Sequence, residues 1–298
     1  MDKKFTKRLL ALHYVFPKSL QKLLPLLAQD PDLTKLEQKS PYELMLLLNI
    51  KLEQATKLKA SYRQSLTFPL IETYEKYKII PVSYQHPLYP QNLFELIDPP
   101  AVLYAKGDLT LLAEPKKIAI IGSRKASPYS RAALQKIVPP LVENGFIIVS
   151  GLARGADAMA HQKTIDLGGR TIAVTGSGFL HPYPKENASL NNIIEEKHLV
   201  ITEYPPYMEP RKWNFPMRNR IISGLSKGVV VTEAYVKSGT LSTIEHALDH
   251  GRDIFAVPGD ISSPLSEGPH KLILEGAKPV WNGWQVLEEY QQMTAEKE

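Results

Sequence analysis

From Lys116 onward the chain alternates short runs of β-branched and apolar residues with segments of helical character. No other feature narrows the choice of fold as much. KIAIIG (117–122), FIIVSG (146–151), TIAVTG (171–176), LVITEY (199–204), GVVVTE (228–233), DIFAVPG (253–259) and AKPV (277–280) read as strands. Most are continuously apolar, the pattern of strands buried on both faces. Helical segments lie between them at 128–143, 155–167, 187–197, 216–226, 240–250 and 267–275. This alternation predicts an α/β fold, a mostly parallel sheet with helices on both faces. In such sheets ligands bind beyond the carboxyl ends of the strands.

Glycine divides the chain in the same way. The first of its 17 glycines is Gly107, so the first 106 residues have none. Glycine marks tight turns and close backbone approaches, so a ligand site built from backbone belongs to the later part. Residues 5–66 instead place Leu and other apolar residues three and four apart, as in short helices. Ser40-Pro41-Tyr42-Glu43 fits a helix start, with Ser40 as cap and Glu43 at the third position. Two domains are expected, a small all-helical one at 1–68 and the α/β one at 69–298, in keeping with ~150 residues per domain. Candidate strands at 79–83 and 101–105 fall in a Pro- and aromatic-rich transition. With no Ser/Gly linker there, the two domains are expected to pack directly.

The chain lacks cysteine, which excludes disulfides, a cysteine nucleophile and thiolate metal sites. No metal site and no cofactor are expected. No apolar run reaches the ~18–20 residues of a membrane span, and the basic, then apolar N-terminus reads as a helix rather than a signal peptide. Net charge is +5, of which residues 1–75 carry +4. The surplus permits a polyanionic partner but does not by itself demand one.

Five strand-end loops carry the chemistry. Gly122-Ser123-Arg124-Lys125-Ala126-Ser127-Pro128 follows a strand and opens a helix, where backbone N–H groups attract anions. It lies in a stretch, 115–142, with six basic residues (Lys116, Lys117, Arg124, Lys125, Arg131 and Lys136) and no acid. The alternative there is a solvated basic helix face. SGLARGAD (150–157) is a second such turn, with Gly151 and Arg154, and reads as steadied by a buried hydrogen-bonded pair, Asp157 and His161. Gly176-Ser177-Gly178 leads into His181-Pro182-Tyr183-Pro184-Lys185, which offers Lys185 to a phosphate. The dinucleotide pattern G-x-G-x-x-G and the G-x-x-x-x-G-K-[ST] phosphate loop are both absent.

The fourth loop runs through Arg211, Lys212, Trp213, Asn214, Phe215, Pro216, Met217, Arg218, Asn219 and Arg220, in a second acid-free stretch at 210–232. Cations interleaved with aromatics suit single-stranded nucleic acid, which offers phosphates and unpaired base faces. Trp213 and Phe215 stand equally as stacking surfaces or as core residues. The fifth, Ser238-Gly239-Thr240, is another anion-binding turn. Thr243 and Glu245, on the first helical turn after it, are either catalytic groups or caps.

The series GSR (122–124), SGLARGAD with His161, YPKEN (183–187), FPMRNRIISGL (215–225), SGTLSTIEHAL (238–248) and FAVPG (255–259) resembles the DNA processing protein A (DprA/Smf) family over roughly residues 70–280. The resemblance implies an extended Rossmann-like domain behind a small sterile-alpha-motif-like helical domain. It implies a cytoplasmic protein of natural transformation that binds and protects incoming single-stranded DNA. Such proteins load the RecA recombinase onto the strand past single-strand-binding protein. It further implies a homodimer formed around His270, Leu272 and Ile273. The chain continues 18 residues past Val280, so the winged-helix domain that many members carry is not expected. The DNA site expected from residues and resemblance together comprises Gly122, Ser123, Arg124, Gly151, Arg154, Lys185, Lys212, Arg218, Asn219, Arg220, Ser238, Gly239 and Thr240. No catalytic residue is expected. The rival is a nucleotide phosphoribohydrolase-like enzyme of the same fold superfamily, acting through Thr240 and Glu245. A third reading, a duplex-DNA regulator working through residues 1–66, lacks a helix-turn-helix glycine there.

Overall fold

A computed structural model describes residues 3–236 and 239–295. Four helices come first: α1 (Lys3–Val15), α2 (Leu20–Gln29), α3 (Pro41–Leu48) and α4 (Leu52–Ser65). Their apolar stripes meet in one core that buries Phe5, Leu9, Leu12, Leu23, Leu26, Leu44 and Leu48. The expected start of α3 is present as a capping box. Ser40 Oγ accepts from Glu43 N at 3.2 Å, and Glu43 Oε2 accepts from Ser40 N at 2.6 Å.

A fifth helix, α5 (Leu70–Lys76), leads to the antiparallel strands β1 (Ile80–Ser83) and β2 (Val102–Gly107). Leu70, Tyr74, Ile79, Val102 and Tyr104 bury into the same cluster as the first four helices. The helical region and the sheet therefore share a hydrophobic core. His13 Nδ1 lies 3.0 Å from Tyr104 Oη inside it.

The rest alternates strand and helix: β3 (Lys117–Ile121), α6 (Pro128–Glu143), β4 (Ile147–Ser150), α7 (Ala156–Asp166), β5 (Thr171–Val174), α8 (Ala188–Lys197), β6 (Leu199–Thr202), α9 (Asn214–Leu225), β7 (Gly228–Val231), α10 (Gly239–Asp249), β8 (Asp253–Ala256), α11 (Glu267–Leu274), β9 (Lys278–Pro279) and α12 (Gly283–Ala295). The expected strands and helices are all present, with ends shifted by a few residues. The strand reading at 277–280 shrinks to two residues, and α12 was not foreseen. The sheet order is β1-β2-β6-β5-β4-β3-β7-β8-β9, parallel from β6 to β9 and antiparallel only through β1 and β2. This is an extended Rossmann-like sheet.

Burial follows strand alternation. On β3, Ile118 and Ile120 face a core with Leu134, Ile137, Val230 and Phe255. Ala119 and Ile121 face the opposite core with Val149, Ile221 and Val231. Because both faces are covered, only the strand ends remain available for a ligand. From β3 the chain builds outward through β4, β5 and β6, then returns to place β7 on β3's other side. The loops after β3 and β7 consequently diverge and open a crevice at that switch point.

Two expectations change. Leu272 is only 5% exposed and belongs to the core under the sheet, so it is packed inside its own chain and not offered to a second copy. His270 is half-buried, its Nε2 3.1 Å from Gly259 O, and Ile273 is half-buried against the same core. Lys117 is also buried, donating to Leu112 O at 2.9 Å and to Glu114 O. It opens β3, about 16 Å short of Gly122 at ~3.3 Å per residue. Burial lowers its pKa to about 8, partly offset by Glu114. The acid-free stretch 115–142 is therefore not one basic surface.

Candidate nucleic-acid interface

The crevice at the switch point is a cleft of about 610 Å³, bordered by Gly122, Ser123, Arg124, Lys125, Lys212, Phe215, Arg218, Asn219, Gly239, Thr240 and Thr243. A side pocket of about 240 Å³ shares Arg124, Phe215 and Arg218 with it and adds Gly151, Arg154 and Pro184. Helices α6, α7 and α10 all follow parallel strands and start at this end of the sheet. Their N-termini bring partial positive charge and donor N–H groups toward one space.

The loop after β3 is held at both ends. Ser123 Oγ accepts from Lys125 N at 3.1 Å, and Ser123 O accepts from Ala156 N at 3.1 Å. Glu233, buried at the end of β7, accepts from Ser127 N at 2.8 Å, Ser127 Oγ at 2.6 Å and Ser130 Oγ at 2.8 Å. Ser127 Oγ in turn accepts from Tyr129 N at 3.1 Å and caps α6. Glycine is required opposite: Gly155 has φ +75°, and a Cβ there would lie 2.3 Å from Ser123 O. Only glycine allows β4's loop to press this closely on β3's loop.

With the backbone fixed in this way, the side chains of Arg124 and Lys125 stand exposed. The Arg124 guanidinium lies 5.6 Å from the Phe215 ring centre, a cation–π contact. Tyr183 tilts against Phe215 at 5.3 Å. Phe215 is half-buried and borders the cleft, so neither of its two expected roles excludes the other. Trp213 is 63% exposed and stacks with Arg211 rather than with the core.

Arg218 forms the floor. It is 4% exposed and donates through Nη1 to Gly151 O at 2.7 Å and to Val174 O, and through Nε to Asn219 Oδ1 at 3.2 Å. Asp157 Oδ2 accepts from Gly151 N at 3.1 Å and Ala153 N at 3.4 Å. A Cβ on Gly151 would lie 2.6 Å from Arg218 Nη2 and 2.7 Å from Asp157 Oδ2, so this glycine leaves room for both side chains beside it. Burial lowers the Arg218 pKa to about 10 against the pull of Asp157. Burial also raises Asp157, which Arg218 and the two amides draw back. Both groups are committed to the loop.

Asp157 steadies the loop as expected, but His161 is not its partner. The Thr171 hydroxyl donates its one proton to Ile148 O at 2.7 Å, so His161 Nδ1 is the donor in their 2.6 Å contact. Asn219 Nδ2 donates to Gly239 O at 3.3 Å, and Thr240 Oγ1 donates to Gly122 O at 3.4 Å; together they tie α10 to the cleft.

Several expected residues lie elsewhere. Arg220 is 3% exposed and faces away from the cleft. It pairs with both carboxylate oxygens of Glu203 at 2.6 Å and donates to Asp98 O at 2.7 Å. Burial works against its charge, but Glu203 overrides that and raises its pKa above the usual arginine range. On a helix, positions 218 and 220 are about 200° apart, at ~100° per residue, so they cannot share a face. Lys185 is exposed on the 3-10 turn at 185–187, outside the residues that border the cleft. Arg154 borders the side pocket, where it pairs with Glu186 at 3.4 Å. Ser238 lies outside the described residues. Thr243 borders the cleft, whereas Glu245 is exposed and does not, and both stand past the first turn of α10. Glu233 was missed, although a carboxylate directly after the apolar run GVVV marks a polar group delivered to the end of a buried strand.

Residues 81–291 match the family model described as DNA recombination-mediator protein A. The chain is 47% identical over 210 residues to the DNA processing protein DprA of Bacillus subtilis, covering 70% of each chain. It is 48% identical over 203 residues to DprA of Streptococcus pneumoniae, covering 68% of this chain and 71% of that one. The X-ray structure of the pneumococcal protein superposes with a TM-score of 0.71 at 39% identity, over 86% of this chain and 93% of that one. A Helicobacter pylori DNA processing protein A structure, described as showing a single-stranded DNA binding mode, superposes with a TM-score of 0.65 at 29% identity. That match covers 72% of this chain and 96% of the other.

Proposed function

This chain belongs to the DNA recombination-mediator protein A family, and from that premise we propose that its cleft binds single-stranded DNA during DNA processing. The observation that carries this reading is the exposed Arg124 guanidinium beside Phe215, on a loop fixed at the mouth of a cleft that three helix N-termini face. Phosphates meet Arg124, Lys125 and Lys212 and the strand-end amides. Bases lie against Phe215 and Tyr183. Binding of this kind is nearly blind to sequence and weakens steeply with salt.

The finer reading follows from the same premise. The protein protects incoming strands in natural transformation and loads the RecA recombinase onto them past single-strand-binding protein. It works in the cytoplasm as a homodimer. The dimer contact falls on α11, where Leu274 is 88% exposed beside half-buried His270 and Ile273. The protein binds without turnover. The phosphoribohydrolase alternative requires the Glu245 carboxylate in the cleft, and that residue stands outside it.

Fluorescence anisotropy with oligo-dT, on the native protein and on Arg124→Ala, tests the cleft. Loss of affinity with an unchanged denaturation curve supports it, whereas unchanged affinity removes the loop as a phosphate clamp. RecA filament growth on strands coated with single-strand-binding protein tests loading. Release of free base from nucleoside monophosphates would restore the enzyme reading.

A further inference from the structure

A second groove, of about 830 Å³, lies between the helical region and the sheet. Its helical wall presents Lys18, Lys22 and Lys57, and its other wall presents Arg211, Trp213 and Met217. Lys18 and Lys57 are exposed and Lys22 is half-buried. The groove also holds two acids, Asp98 and Glu203, and the Glu203 carboxylate is taken up by Arg220. The cations therefore outnumber the acids. The +4 of the first 75 residues, unexplained by the cleft, is concentrated here in part.

The two cavities adjoin. Lys212 borders the cleft and Trp213 the groove, and consecutive Cα atoms are about 3.8 Å apart. Along α9, Phe215, Arg218 and Asn219 face the cleft, while Asn214, Met217 and Arg220 face the groove. The Trp213 indole, left 63% exposed with the Arg211 guanidinium 5.4 Å from its ring, forms the ridge between them. A large aromatic face held in water beside a cation is a base-stacking platform. The groove walls are fixed to one another, because the Tyr14 and Tyr207 rings meet in a tilted contact at 4.7 Å and Tyr207 Oη donates to Tyr14 O.

We propose that the strand leaving the cleft crosses Trp213 and continues through this groove, its phosphates meeting Lys18, Lys22 and Lys57 of the helical region. The inference rests on the cleft holding the strand's other end. The groove then acts as a second module joined by the strand itself, and it adds affinity only for strands long enough to span both.

The test compares oligo-dT of about 6 nucleotides, within single-module site sizes, and of about 25, beyond them, on native protein, K18A/K22A/K57A and Trp213→Ala. On the long strand, the triple variant loses about tenfold in affinity, and its log–log salt slope flattens by about 2, near 0.7 per phosphate contact. Trp213→Ala loses about tenfold as well. On the short strand, both stay within about twofold of native. Equal losses on both lengths, or no loss on the long one, overturn the groove. Failure of the native protein to bind either strand overturns the cleft and the groove together.

Discussion

Two arginines border the cleft, Arg124 on the loop after β3 and Arg218 on the second turn of α9. Each comes from one of the two acid-free stretches, and in the sequence they look interchangeable. In the structure the exposed Arg124 guanidinium lies over the Phe215 ring, while Arg218 is buried and bonded to the backbone ends of β4 and β5. A guanidinium whose Nη1 and Nε already serve two carbonyls and an amide oxygen has fewer donors left for a phosphate than one standing free in the cleft. The fold uses one arginine to build the floor and leaves the other to meet the ligand.

Removing the floor should have the largest effect. Arg218→Met takes the nearby cation from buried Asp157, leaving it the Gly151 and Ala153 amides, and leaves two carbonyls short of a donor, so a loss of about 3–5 kcal/mol in unfolding free energy is expected by urea denaturation. A loss under about 1 kcal/mol would erase the distinction between the two residues. Arg124→Ala should do the reverse. Its urea midpoint should stay put while single-strand affinity falls about thirtyfold, near 2 kcal/mol.

Protons extend the contrast between interior and surface. Burial lowers the pKa of His13 and of His161 to about 3, against about 6.5 in an unfolded chain. The unfolded state therefore binds more protons between those values, and stability present above pH 6.5 drains as pH falls toward 3. Each histidine should contribute a slope of about 1.4 kcal/mol per pH unit midway through that window. His161→Asn should be less stable at pH 7 yet show a shallower acid limb in denaturation midpoints taken across pH. An unchanged limb would mean that His161 titrates normally in the fold. The smallest effect belongs to exposed Lys212: its replacement by Ala should reduce affinity by less than about 1 kcal/mol and flatten the salt slope by about 0.7, leaving stability unchanged.

The sheet was legible because a strand covered on both faces must be apolar along its whole length, as 228–231 and 254–256 are. The cleft's backbone was legible because close approach demands glycine, as at Gly155. The direction of each basic side chain was not. Arg218 and Arg220 sit two residues apart on a helix, and only the structure shows which of them points at Glu203. Lys117 and Arg124 lie in one basic run but at opposite ends of a strand. Leu272 carries a surface role in the resemblance and a core role in the packing, since a leucine on a short helix reads the same in either. The α12 segment has mixed polarity, with Trp284 inside it and Trp281 just before it, and its helical period was weak until Val286 and Leu287 met the core beside α6.

Val102 and Tyr104 of β2 owe their burial to helices more than thirty residues upstream. A boundary near residue 68 is thus a feature of the sequence and not a line along which the molecule comes apart. Trimming the chain there would leave an aromatic and aliphatic sheet face against water, next to an antiparallel edge able to pair with another copy. The trimmed protein should self-associate, and its weakened binding would say nothing about which residues touch DNA. The helical region behaves as the lid of the sheet's first core.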